Sequence, residues 1–304
     1  MTAAPRYAAL GCFSNFSFLT GAAHPAEMVE TAAMLGWQAV GIADINSFAG
    51  IVRAHIAARD AAIGLIIGVR VRPVDGPDIL VHPCDRPAYE SLSALLSEAN
   101  MRGQKAVPRL YLADLSRLPA NTVFVVVPPV HPDAAYHAKL QQLSQLVTGR
   151  LWAGACLYRD GADEARLALL ATEAAALDLP LVALSNALYH HPQRRPLADV
   201  LCCIREKQRL DDAGYLLSRN AERHLLSPDE MARRWRHYPD ALKQAAVIAD
   251  LCRFSLDDLS YEYPDELALG GRTAMQELTY HTWQGAKKRF PDGVDDRVKA
   301  YLQH

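Results

Sequence analysis

The chain has 304 residues, half of them hydrophobic, and a formal net charge of −2. This length and composition are typical of a soluble globular protein that buries one large core or two smaller ones. A dedicated nucleic-acid-binding module is usually clearly basic, so the charge balance disfavours that class. No apolar run approaches the ~20 residues of a membrane span, and the first ten residues lack the apolar core of a signal peptide. We therefore expect a cytoplasmic protein with no membrane partner.

The six cysteines indicate neither a disulfide framework nor a zinc site. They are scattered along the chain, and none of them forms a Cys-x-x-Cys motif with another. Scattered cysteines of this kind are usually buried free thiols in a reducing compartment. We interpret the adjacent Cys202 and Cys203 in the same way, with a redox pair as the alternative.

Apolar runs alternate with helical patterns through the first 190 residues. Uniformly apolar strands separated by helices favour a parallel sheet that is covered on its outer face. No GxGxxG motif follows any of these runs, which disfavours a Rossmann nucleotide site. We predict an α/β fold, a distorted (β/α)7-type barrel that is closed or nearly closed. The predicted strands are residues 7–12, 39–43, 65–71, 79–82, 122–127, 151–157 and 181–185.

The pattern changes after residue 190, where no further strand-like run occurs. We predict a barrel over residues 1–195 and a helical part over residues 196–304 that completes the barrel domain and leads out of it. The predicted helices of this second part are residues 197–209, 228–236, 240–252 and 273–289.

The stretch YAALGCFSNFSFLTG, residues 7–21, joins the first predicted strand to a polar turn. In barrels of alternating strands and helices, active-site residues are presented at the C-terminal ends of the strands. The stretch resembles the opening motif of the PHP (polymerase and histidinol phosphatase) domain at the front of bacterial C-family DNA polymerases. Metal-binding members carry a His-x-His pair, a Ser/Thr-x-aromatic-Ser turn and an Asp-Gly. Here the turn and the glycine are kept as Ser14, Asn15, Phe16, Ser17 and Gly21, whereas Gly11, Phe13 and Thr20 occupy the two His positions and the Asp position.

Two further stretches resemble the second and third motifs of that family. Residues 39–58 match the Thr-Asp-His motif and its following helix, with Asp44 kept and Ile45 in place of the histidine. Residues 65–72 match the Ile-Gly-x-Glu motif, with Arg70 in place of the glutamate ligand.

The closing motif of the family is also recognisable. Residues 183–206 resemble Asn-Asp-x-His-Tyr followed by a helix, and Ala187 and Tyr189 fall on its Asp and His ligand positions. Asp78 lies near a position that often holds a ligand histidine. The resemblance thus covers essentially the whole chain, in the family's order.

The combination of SNFSFLTGAAHP, NAERHL and RFSLDDLSYEYP resembles the error-prone branch of the family. This branch is the second, damage-tolerant type of DNA polymerase III alpha subunit. The resemblance implies a parent DNA-directed DNA polymerase that uses Mg²⁺ in translesion synthesis and damage-induced (SOS) mutagenesis. It implies as partners the polymerase core of the same chain, DNA, the sliding clamp and an inactive Y-family-like protein. The polymerase's Gly-Arg-Gly-Ser turn and catalytic Asp pair do not occur in these residues, so we expect no polymerase activity from them.

The substitutions at the ligand positions predict a degenerate metal site. A metallophosphoesterase needs His, Asp, Glu or Cys ligands that converge on metal ions and activate a water. The side chains of Gly11, Phe13, Ile45 and Ala187 offer no lone pair, and a guanidinium at Arg70 repels cations. We expect no catalytic residue, metal or cofactor here, and a structural role as a rigid body that buttresses the polymerase core. Phe13 and Ile45 would fill the vacated space, and Arg70 would pair with Asp44 or Asp78.

Two other functions remain open from the sequence. One is an active metal-dependent phosphoesterase or 3′–5′ exonuclease, for which His82, His190 and His191 would join Asp44 and Asp78 as candidate ligands. The other is a docking module for accessory mutagenesis proteins. Basic clusters at 194–195, 205–209, 233–236 and 287–289 alternate with acidic residues, so we interpret them as solvated helix faces, with a DNA or interdomain contact as the alternative.

Overall fold

The structure is a computed structural model that describes residues 7–104, 107–259 and 271–303. The described residues up to Leu259 belong to one compact unit, and residues 271–303 belong to a second. The RFSLDDLSYEYP motif lies outside the described residues from position 260 onward.

Within the described residues, seven strands form one sheet whose spatial order follows the chain order. The first strand is joined to the segment after the last strand, because Ser185 N and Asn186 N donate to the Leu10 carbonyl at 3.1 and 3.2 Å. The sheet is therefore a nearly closed barrel, as predicted. The strands are β1 (Ala8–Cys12), β2 (Ala39–Ile45), β3 (Gly64–Val71), β4 (Ile79–Pro83), β5 (Thr122–Val126), β6 (Arg150–Ala155) and β7 (Leu181–Ala183).

The sheet is not parallel throughout. β4 pairs antiparallel with both β3 and β5, whereas the other neighbouring strands pair parallel. β3 and β4 are joined by a short turn around Asp75 and Gly76 instead of a helix, so the chain reverses direction between them. The prediction of a parallel sheet was wrong at β4 for this reason.

Helices follow most strands, and local capping explains where the first one begins. Pro25 opens the first helix, where its missing N–H costs nothing, and Glu27 Oε2 accepts the His24 N–H at 2.8 Å. A 3-10 helix, Leu112–Arg117, precedes β5. The α-helices of the described residues are α1 (Pro25–Met34), α2 (Ile51–Asp60), α3 (Arg86–Arg102), α4 (Ala134–Leu146), α5 (Asp163–Ala176), α6 (Arg195–Glu206), α7 (Pro228–Arg234), α8 (Pro239–Leu251), α9 (Ala274–Arg289) and α10 (Asp296–Gln303).

Helix α8 packs directly on the barrel, against β7 and β1. Its inner face buries Leu242, Ala245 and Ile248. Trp152 on β6 donates its indole N–H to Gln244 Oε1 at 2.8 Å, which ties the helix to β6 as well. The proposed division of the chain at residue 195 stays a prediction.

No helix within the described ranges has both the length and the apolar character that crossing a membrane requires.

Candidate functional site

Asp44 lies near the C-terminal end of β2 and is almost completely buried. Its carboxylate accepts hydrogen bonds from Ser14 N at 2.8 Å, Ser14 Oγ at 2.6 Å and Ser17 Oγ at 2.6 Å. Burial raises the pKa of Asp44, and the bonds from the two serines oppose that rise. The Ser-x-x-Ser turn of the first motif therefore satisfies this carboxylate without a metal ion.

Gly50 lies against this carboxylate at the start of α2. A Cβ at position 50 would stand 2.4 Å from Asp44 Oδ2 and 2.8 Å from Ser14 Oγ, which is closer than real Cβ contacts allow. The absence of a side chain at Gly50 is therefore what lets α2 approach the bonds between Ser14 and Asp44.

Arg70 lies near the C-terminal end of β3, and its guanidinium has three partners. Its Nε donates to Asp78 Oδ2 at 2.6 Å, and its Nη1 donates to Asn186 Oδ1 at 2.8 Å. The guanidinium carbon stands 4.7 Å from the centroid of the Phe13 ring, within cation–π distance. Of the two carboxylates expected to pair with Arg70, Asp78 does so. The pairing with Asp44 was wrong, because the serine bonds already occupy that carboxylate.

The other predicted ligand positions are occupied in ways that suit packing. Phe13 is buried as predicted, whereas Ile45 is only half-buried. Ala187 is buried and its carbonyl accepts the Phe13 N–H at 2.9 Å, and Tyr189 is also buried. Thr20 lies near the end of the first turn and accepts a hydrogen bond from Arg205 at 3.3 Å.

The backbone at Gly11 differs from what a histidine ligand needs. Gly11 has a φ of 72°, a left-handed conformation that residues with a side chain rarely adopt. A histidine at this position would therefore be strained in this backbone conformation.

A cleft of about 480 Å³ is lined by Phe13, Arg70 and Asn186, together with residues of α6 and of the segment before α7. Arg223 from that segment also lines it, with Nε donating to the Asn186 carbonyl at 2.8 Å. Its guanidinium carbon lies 5.7 Å from the centroid of the Tyr158 ring. Burial lowers the pKa of Arg223, and the nearby Arg70 charge adds to that effect.

Sequence reasoning missed two members of this site. Asn186 lies within the closing motif, one residue before a predicted ligand position, and Arg223 lies within the NAERHL motif. Both motifs were recognised in the sequence. The signal that could have identified Asn186 and Arg223 was that they are polar residues inside these motifs that match no ligand position. Arg205 was interpreted as part of a solvated helix face, but it also lines the cleft.

A family model described as the PHP domain matches residues 10–166, just over half of the 304 residues. This chain belongs to the PHP domain family. The matched range contains the turn around Ser14, the Asp44 motif and the Arg70 motif, which confirms the resemblance stated from those residues.

Curated relatives of this PHP domain are named error-prone DNA polymerases. One from Rhodopseudomonas palustris (strain BisB5) is 43% identical over 304 aligned residues, and one from Caulobacter vibrioides is 40% identical over 300. These alignments cover 98% of this chain but 27% and 28% of the relatives. The chain therefore spans about a quarter of the length of the curated relatives it matches. A solved amidohydrolase structure from Chromobacterium violaceum aligns with 59% of this chain and 86% of its own, at 15% identity and a TM-score of 0.47.

The donor set of this PHP domain does not fit a metal centre. In the part of the chain that the structure describes, no group of three or more His, Cys, Asp or Glu side chains could hold an ion. The Asp44 carboxylate accepts its hydrogen bonds from serines, and the Asp78 carboxylate pairs with the guanidinium of Arg70, which occupies a predicted ligand position. The alternative ligands His82, His190 and His191 do not line the cleft.

Proposed function

We propose that this chain is the PHP domain of an error-prone DNA polymerase and that it serves as a structural body without hydrolytic chemistry of its own. The environment of Arg70 carries this proposal. A permanently charged guanidinium stands at a glutamate ligand position and is held there by Asp78, Asn186 and Phe13. This positive charge would repel divalent metal cations, so the arrangement favours a packing role over metal chemistry.

The similarity to error-prone DNA polymerases over 98% of this chain supports the parentage. The parent would be a DNA-directed DNA polymerase that copies damaged templates in damage-induced mutagenesis, with Mg²⁺ at its own catalytic centre. Its proposed partners are DNA, the sliding clamp and an inactive Y-family-like protein, in the cytoplasm. This domain would buttress the polymerase core of the same chain.

Helix α6 offers a surface for that contact. Leu197, Val200 and Ile204 are exposed by 41%, 43% and 56% and recur at helical spacing on one side of the helix. Apolar residues grouped in this way mark an interaction surface. Because the relatives extend far beyond this domain, we assign the surface to the polymerase core, with an accessory mutagenesis protein as the alternative occupant.

Metal content and phosphodiester hydrolysis test the absence of hydrolytic chemistry. The purified chain is loaded with Mn²⁺, Zn²⁺ or Fe²⁺, desalted, and compared with Asp44→Ala prepared in the same way. We expect no stoichiometric metal and the same background hydrolysis in both proteins. One bound equivalent, with turnover that Asp44→Ala abolishes, would contradict the proposal and favour the phosphoesterase or exonuclease function.

Substitutions on α6 test the buttressing role in the parent polymerase. Val200→Asp with Ile204→Asp should lower the melting temperature and the primer-extension rate of the parent chain, because a carboxylate would be buried in the contact. Val52→Asp on α2 is the matched control, since Val52 is exposed by 58%. Equal behaviour of the two variants would contradict the contact, and capture of an accessory mutagenesis protein by the isolated domain would favour the docking alternative.

A further inference from the structure

Four arginines line the cleft above Phe13: Arg70, Arg72, Arg205 and Arg223. They come from the end of β3, from α6 and from the segment before α7, so the fold brings them together from three separate elements. Among the described residues that line the cleft, Asp199 is the one acidic side chain. Its carboxylate pairs at 3.3 Å with Arg195, which does not line the cleft. The lining is therefore strongly cationic.

Arg223 lines this cleft and uses only one of its guanidinium nitrogens in a hydrogen bond to the described protein residues. Its Nε donates to the Asn186 carbonyl, and no carboxylate of residues 7–104 or 107–259 pairs with it. Within the same ranges its Nη1 and Nη2 have no protein acceptor, and neither is among the buried polar atoms that lack a partner. These two nitrogens therefore keep some contact with solvent, and Arg223 lines this cleft and a neighbouring one beside Tyr158.

Arg70 and Arg72 are together only partly neutralised, whereas Arg205 has a carboxylate partner of its own. Asp78 serves both Arg70 and Arg72, at 2.6 and 3.2 Å, and Glu206 lies 2.8 Å from Arg205. One carboxylate for two arginines leaves excess positive charge at the base of the cleft. Like charges held close together are unfavourable unless an anion lies between them.

We propose that this cleft binds a phosphate group without a metal ion, through the guanidiniums of Arg70, Arg205 and Arg223. Planar guanidinium donors match the spacing of phosphate oxygens and form charge-assisted bonds with them. The site where the family places cation ligands has thus become an anion site in this chain, a binding activity beyond the structural role proposed above. The phosphate belongs either to a free polyphosphate or to the backbone of a nucleic-acid strand.

Calorimetric titration of the 304-residue chain with inorganic pyrophosphate, in low salt with EDTA, tests this binding. We expect saturable binding with one site per chain, weakened by added NaCl because salt screens the charges. Arg223→Gln should weaken it by about tenfold or more, the effect of a lost charge-assisted hydrogen bond. Arg205→Gln is a second variant at the more exposed side of the cleft, in case Arg223→Gln fails to fold. Arg209→Gln is the matched control, because Arg209 is exposed and lies outside the cleft.

A parallel titration with a single-stranded oligonucleotide distinguishes the two phosphate sources. Oligonucleotide binding that pyrophosphate displaces and Arg205→Gln weakens assigns the site to a strand backbone. Pyrophosphate binding alone assigns it to a free polyphosphate. Failure of the folded chain to bind either ligand, equal loss in Arg209→Gln and Arg205→Gln, or a requirement for divalent metal would overturn the proposal.

Discussion

Arg70 and Asp78 form an ion pair across the β3–β4 turn, with 2.6 Å between Nε and Oδ2. Arg70 opposes Leu80 in the antiparallel ladder, and Asp78 immediately precedes β4. The pair therefore joins the two strands at the point where the sheet changes from parallel to antiparallel. One guanidinium thus both fastens the barrel and keeps a positive charge at the position where the sequence resemblance places a glutamate ligand.

Arg70→Ala should destabilise the chain by about 2–3 kcal/mol, since it leaves a partly buried carboxylate with Arg72 alone and opens space beside Phe13. The value is below that for a fully buried pair, because the Asp78 side chain is 21% exposed. Urea unfolding followed by circular dichroism measures it. Arg59→Ala is the control, because Arg59 and Asp60 form a pair that is 66% and 68% exposed, and it should change stability by less than about 0.5 kcal/mol. A urea unfolding curve of Arg70→Ala identical to that of the wild type would show that the pair does not stabilise the fold.

Gly50→Ala should destabilise the chain by about 1–3 kcal/mol, the usual range for overpacking a well-packed site. The added Cβ would stand only 2.4 Å from Asp44 Oδ2 and would therefore displace that oxygen. Gly285→Ala in α9 is the matched control, since no atom of the described residues, apart from the neighbouring backbone of α9 itself, lies within 4 Å of a Cβ there. It should be neutral or stabilising, because alanine favours a helix more than glycine. Equal urea midpoints for both variants would mean that the Asp44 site tolerates the displacement.

The barrel was predictable because its strands are local apolar runs, as in β2, whose predicted range differs from the observed one only at its end. The reversal of direction at β4 was missed because the direction of a strand depends on the segment that connects it to the previous strand. The apolar pattern of residues 79–82 contains no information about that segment. The Arg70–Asp78 pair was among the predicted alternatives, because both residues match or lie near ligand positions of the family motifs. Arg223 meets Asn186 only through the fold, and no spacing in the sequence predicts that contact.

His82 should make stability depend on pH. It is fully buried in β4, with Nδ1 3.0 Å from the Ile67 carbonyl, and burial lowers its pKa to about 4. The unfolded chain binds a proton near pH 6.5, an ordinary histidine value, whereas the folded chain stays neutral there. The contribution of His82 to stability is therefore complete above about pH 6.5 and is lost as the pH falls toward about 4.

Urea unfolding at pH 7 and pH 5 measures this effect. Between those two conditions the wild type should lose about 2 kcal/mol more stability than His82→Leu, which has no group to protonate. His237→Leu is the control, because His237 is exposed and its removal should leave the pH dependence as it is. A His82→Leu variant with the wild-type pH dependence would mean that other groups carry the effect.

A chain that ends after Leu259 should keep a cooperative thermal transition, whereas one that ends after residue 195 should lose it. The shorter fragment lacks α8, whose Ala245 and Ile248 are fully buried on the barrel, and lacks the Gln244 partner of the Trp152 indole. Exposing that surface removes apolar burial worth about 25 cal/mol per Å², and a net stability of roughly 5–15 kcal/mol does not survive the loss of a whole helix face. Thermal melts followed by circular dichroism, together with limited proteolysis, show which of the two fragments folds cooperatively. A cooperative, protease-resistant fragment of residues 1–195 would instead support the boundary predicted from the sequence, with the later helices as a separate addition to a self-sufficient barrel.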